Sequence, residues 1–190
     1  MVIHKLHWKL RIDNPATVKP ADFFKVFNSW IPDSPEVFVD VADYQHVHDG
    51  PLILLVGHYV DCALDATDRQ LGFLYSRKQP LAKSTAETMH LTLLACLQAA
   101  LRLQADPVFN GTLSLRTDSV QLIVNDRALA PNTPETLARL RPHLEAVGTA
   151  LFGNATLTRA DADAPKKRFS VVMAGNVSVP LAELAARLAK

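Results

Sequence analysis

LGFLYSRK (71–78) and, five residues later, STAETMHLTLLACLQAALRLQA (84–105) form the stretch that decides the fold of this chain. The first segment reads as a strand. The second opens on a capping box, in which Ser84 accepts from the amide of Glu87 and Glu87 reaches back to the amide of Ser84. Its apolar residues, from Met89 through Leu93, Leu97 and Leu101 with Leu91, Leu94 and Leu103 beside them, cover more than one helical face, so the helix is expected to be covered on two sides. The design returns further on. Leu81, Ala82, Thr85, Glu87 and Thr88 recur as Leu129, Ala130, Thr133, Glu135 and Thr136, at a constant offset of 129 − 81 = 48. Asn132 then stands where Ser84 stood, as the cap of a second helix reaching about Leu151, and the pattern suggests an internal duplication. Pro142 inside that helix implies a kink or a break.

Towards the N-terminus, residues 2–12 alternate apolar Ile3, Leu6, Trp8, Leu10 and Ile12 with Lys5, Lys9 and Arg11, the pattern of a half-buried strand. A helix over 21–30 carries Phe23, Val26, Phe27 and Trp30 on one stripe and stops at Pro32 and Pro35. Residues 36–41 read as a strand. The polar segment 42–51 follows, and residues 52–78 read as a three-stranded meander. Towards the C-terminus the spacing predicts a hairpin of 113–117 with 120–125, another of 155–159 with 168–174, and a closing helix over 181–190. The reading is an α+β chain, a mainly antiparallel sheet built from hairpin–helix units with helices packed on it. It is expected to be a single domain over 1–190, with 1–70 and 71–190 as its sub-units.

Composition excludes several function classes. With 20 Lys and Arg against 19 Asp and Glu the net charge is +1, so no global field attracts nucleic acid or anionic lipid. Lys166, Lys167 and Arg168 make the one dense basic run and read as a solvated hairpin turn. No apolar run reaches membrane-span length and no signal-peptide pattern opens the chain, so a cytoplasmic location is expected. Cys62 and Cys96 fall in apolar patterns without ligand-like spacing and read as free, buried thiols. There is no GxSxG, and seven glycines leave no room for a phosphate-binding loop.

The cluster with chemical interest runs from Tyr44 to Asp65. His46 and His48 at i, i+2 project to the same side of an extended segment, which suits two ligands of one divalent metal such as zinc. His58 would complete the shell, with Asp61 or Asp49 as a catalytic base; Asp65 lies close by in sequence. The three histidines converge only if 42–51 folds back out of the sheet, because a tight hairpin would leave His58 about 20 Å along the ladder from His48. The plainer expectation has His46 and His48 exposed in a loop. His90 reads as a satisfied core histidine, and His4, His7 and His143 have no acidic neighbour at a suggestive spacing.

Around VADYQHVHDGPLILLVGHYVDCALD (41–65) and LGFLYSRK (71–78) the chain resembles an uncharacterised family of small bacterial α/β proteins with no assigned activity. The resemblance implies a bacterial cytoplasmic source and assigns no residue a role. The functional expectation is a non-enzymatic binding or assembly protein acting as a homo-oligomer, since apolar strand surface exceeds what the helices can cover. It would take a small-molecule ligand and neither nucleic acid nor membrane. The alternative is a metal-assisted hydrolase of small molecules using His46, His48 and His58.

Overall fold

Strict alternation shapes the first strand, β1 (Leu6–Arg11): Leu6, Trp8 and Leu10 are fully buried, and His7, Lys9 and Arg11 take the other side. The computed structural model describes residue 3 and residues 5–189. Val2 and His4 of the expected strand, and Lys190 of the expected last helix, lie outside the described residues. Four strands follow as a meander, β2 (Phe38–Asp43), β3 (Pro51–Gly57), β4 (Val60–Asp65) and β5 (Gly72–Arg77). Three more, β6 (Ser119–Val124), β7 (Thr156–Arg159) and β8 (Phe169–Ala174), complete one antiparallel sheet in the order β2-β3-β4-β5-β1-β6-β8-β7. The earliest strand is therefore central. It pairs with β5 on one side (Lys9 opposite Leu74) and with β6 on the other (Lys9 opposite Gln121).

All four helices bury their apolar stripes in one cluster with the same sheet face. The first, α1 (Pro20–Trp30), lies over β2 and β3 and contributes Phe23, Val26, Phe27 and Trp30, the stripe expected from its sequence. The long α2 (Thr85–Gln104) crosses β1 and β5, while α3 (Pro134–Phe152) covers β7 and β8. The short α4 (Leu181–Leu188) packs against both α2 and α3, which explains the two apolar sides of α2. Trp8 joins sheet to helix by a polar contact as well. Its indole N–H donates to Thr92 Oγ1 at 2.8 Å, and that hydroxyl donates to the Thr88 carbonyl at 2.6 Å, so the buried indole is satisfied.

Three expectations are corrected. Residues 113–117 form no strand; Leu115 makes a single bridge to Ile12 beyond the end of β1. Pro142 does not break α3, which is continuous through it: the proline is exposed, so the carbonyl it leaves unpaired one turn earlier is on the solvent side. The helix after β6 is capped by Thr133, whose hydroxyl accepts from the Thr136 amide, with Pro134 in the first turn where a missing N–H costs nothing. Asn132 is buried instead. Its amide donates to the carbonyls of Asp161 and Ala164 at 2.9 and 3.2 Å, and its oxygen accepts from Arg159. The caps are thus 133 − 84 = 49 residues apart rather than 48, and an internal duplication is not shown.

The helix-free face departs furthest from expectation. It carries Lys9, Asp61, Asp65, Ser76, Gln121 and Ser170 around a small apolar strip of Ala63, Leu74 and Ile123 with Leu54. The strand surface left free by the helices, on which the expectation of a homo-oligomer rests, is thus a hollow of mixed polar and apolar lining.

The caps give the first test. Ser84→Ala removes a complete capping box and should lower unfolding free energy by about 1 kcal/mol. Asn132→Ala should cost more, about 2 kcal/mol, because it removes all three hydrogen bonds by which a buried side chain ties the start of α3 to the 159–164 segment. Urea titration of both variants should reproduce that order.

Candidate functional site

The open face is organised by a lysine that alternation places on it. Only 2 % of Lys9 is exposed, and its ammonium sits 2.5 Å from Asp65 Oδ2, itself 1 % exposed. Lys9 is on β1 and Asp65 on β4, with β5 between them, so the lysine stem must cross a strand. It crosses at Gly72: a Cβ there would stand 2.9 Å from Lys9 Cε and 2.6 Å from the Leu10 carbonyl oxygen. Glycine at that position is the clearance the four-carbon stem needs. Asp65 accepts further hydrogen bonds from the Thr67 amide and hydroxyl at 3.2 and 2.8 Å, so its charge is matched on both oxygens. Burial holds the Lys9 pKa below the ordinary lysine value, and the Asp65 charge opposes that shift.

Next to this pair lies His7, whose Nδ1 shares a hydrogen bond of 2.7 Å with Ser76 Oγ. Burial, and after it the positive charge of Arg168, lower its pKa from 6.5 to about 4, so the imidazole is neutral near pH 7. Further along the face Gln121 donates to Ser170 Oγ at 2.8 Å. These side chains are held by one another, which fixes the polar floor.

Loops from opposite ends of the sheet wall the face. Registry puts Asp65, Gly72 and Arg11 at one end and Asp61, Ser76, His7, Ile123 and Ser170 towards the other. The β2–β3 and β4–β5 loops leave the first end and are tied together where Asp49 accepts from the Asp68 amide at 2.8 Å. The β7–β8 loop leaves the second end, anchored by Asn132, and Lys167 reaches from it to Asp68 at 2.5 Å and Asp161 at 3.3 Å. The connection over the face is weak, since exposed pairs of this kind contribute about 0–1 kcal/mol. Beneath and beside it are two hollows of about 230 and 680 Å³ that share Asp49, Thr67 and Arg168 on their walls. The larger is within the usual range for small-molecule sites, roughly 300–1,000 Å³.

The residues singled out from the sequence divide between two places. His46 and His48 are exposed in the β2–β3 loop, where the His46 ring lies 6.2 Å from that of Tyr44. His58 is exposed in the turn after β3, at the other end of a seven-residue strand, and so about 20 Å away by strand geometry. Residues 44–50 do not fold back towards it, since β2 stays paired with β3 through Asp43 and Ile53. Among the described residues no three His, Cys, Asp or Glu side chains are grouped so as to hold a metal ion. Asp49, Asp61 and Asp65, by contrast, all line the larger hollow. Asp61 pairs with Lys78 at 2.8 Å and accepts from the Gly57 amide at 3.0 Å.

His90 is half-buried in a groove between α2 and α3 that His143 also lines, rather than in the core. Cys62 and Cys96 are free and buried, and desolvation pushes both thiols up, away from nucleophilic reactivity. The 166–168 run is not merely a solvated turn: Lys167 spans the face and Arg168 is half-buried in the wall of both hollows. Lys9, His7 and Arg168 are therefore the site residues that sequence reasoning missed.

Two tests follow from the floor. Lys9→Met should destabilise by about 3–5 kcal/mol by stranding Asp65, and adding Asp65→Leu should recover most of that loss in denaturant titrations. His7 contributes stability fully above about pH 6.5, because the unfolded imidazole takes its proton there, and loses it as pH falls towards about 4. The fall from 6.5 to about 4 corresponds to a contribution on the order of 3 kcal/mol. Unfolding curves of His7→Gln should accordingly show a shallower acid limb than wild type across that window.

No protein-family model matches the chain, and no curated protein matches it at a significant level.

Proposed function

We propose that the protein is a non-enzymatic binding protein that takes a small-molecule ligand in the trough on the helix-free face of its sheet. The observation that carries this reading is the buried pairing of Lys9, on the wall of the hollow of about 230 Å³, with Asp65, on the wall of the adjoining hollow of about 680 Å³. Two charges withdrawn from water are a costly way to stabilise a sheet, since an apolar pair of similar volume does as well or better. They do supply a rigid, polar floor whose groups are already satisfied and need no rearrangement when a ligand arrives. The strip of buried Ala63, Leu74 and Ile123 with half-buried Leu54 beside them supplies apolar contact, the usual composition of a ligand site. The hydrolase reading has less support, because His46, His48 and His58 stand at opposite ends of β3.

The test is a fragment library screened by amide NMR against wild type and Ala63→Phe, a variant that fills the hollow from its floor. Binders should shift His7, Leu74, Ile123 and Ser170 in wild type and lose these effects in the variant. Hits that map to the α2–α3 groove or the β2–β3 loop, or that bind the variant unchanged, would overturn the reading.

A further inference from the structure

Resting on that trough as a binding site, we infer that its ligand is a small amphipathic anion, a carboxylate joined to an apolar chain, with the carboxylate at Arg168 and the chain along the Ala63–Leu74–Ile123 strip. The charges in the larger hollow do not cancel once their partners are assigned. Asp65 is matched by Lys9 and Asp61 by Lys78, while Asp49, bonded to the neutral Asp68 amide, leaves one negative charge against the cations Lys5, Arg77 and Arg168. Arg168 and Lys5 also line this hollow, and among the described residues neither has a carboxylate within ion-pair distance. A half-buried guanidinium without a counter-charge is a ready partner for a carboxylate, which it can meet through two parallel hydrogen bonds.

The neighbouring His7 is neutral in the free protein and close enough to feel the Arg168 charge. It therefore adds no second positive charge, and its ring presents a polarisable wall beside the cation. Between Arg168 and the far wall, Leu54, Ala63, Leu74 and Ile123 form the one apolar cluster found off the main core among the described residues. A cationic wall next to an apolar strip selects an anion that carries a hydrocarbon body. A fully hydrated anion would gain nothing from the strip, and an amphipathic cation would meet Arg168 and Lys5 with repulsion.

The experiment compares octanoate, octanamide and octylammonium as probes with the whole protein, following amide shifts of trough residues and the titration of His7 by imidazole NMR. Octanoate should shift Leu74, Ile123 and Ser170 and raise the His7 pKa, because the bound negative charge offsets that of Arg168. Arg168→Gln should weaken octanoate at least tenfold and leave octanamide unchanged. Trough shifts that are equal for octanamide and octanoate, with His7 unmoved, would overturn the anion inference while leaving the trough a binding site. Absence of trough shifts with all three probes would overturn both. Preference for octylammonium would reverse the assigned charge. Arg168→Gln is read beside Lys166→Gln, which removes one positive charge from the same loop, so a loss shared equally by the two variants would refute the role given to Arg168.

Discussion

A charged ammonium with almost no access to water has to be met by an opposite charge, and meeting that need fixes the centre of this sheet. Lys9 can reach Asp65 only if β1, β5 and β4 hold their observed register and Gly72 stands beneath the crossing. A slip of one residue in β1 would turn Trp8 to the open face and Lys9 towards the helices, losing the indole bond to Thr92 as well as the ion pair. Both faces of the strand therefore vote for the same alignment. The apolar side supplies most of the free energy and the polar side supplies uniqueness.

Much of the architecture was legible in the sequence because it rests on local rules. Apolar patterning marked all eight strands within a few residues, with 113–117 as one false addition; the aromatic stripe marked α1, and the Ser84–Glu87 box marked the start of α2. Segment 113–117 was misread because its alternate leucines are buried by a loop lying along β1 rather than by a strand ladder. Asn132 and Thr133 are both good cap residues, and only the tertiary bonds of Asn132 to the 159–164 segment decide which one caps.

The site was far less legible. In a strand that alternates Leu, Trp and Leu with His, Lys and Arg, every charged residue reads as solvated; burial of Lys9 depends on a glycine and an aspartate 63 and 56 residues away, at 72 − 9 and 65 − 9. Arg168 likewise acquires its setting from the path of the β7–β8 loop, which no local pattern encodes. The histidine spacing misled for the opposite reason. The i, i+2 rule for shared orientation holds in extended chain, whereas 44–50 is a loop beyond the end of β2.

The central position of β1 has a consequence for how the chain acquires its structure. Its ladder with β6 joins residues as far apart as Leu6 and Val124, a separation of 124 − 6 = 118 positions. During synthesis β1 can zip onto β5 while β6 is still unmade, leaving one edge of the half-sheet, and the polar side of Lys9, open to other strands. Closure of loops this long makes folding slow, by the general dependence of rate on the sequence distance of contacts. The stretch from β6 onward thus acts on the earlier half as a late-arriving chaperone in cis, one that removes an aggregation-prone edge by becoming its neighbour.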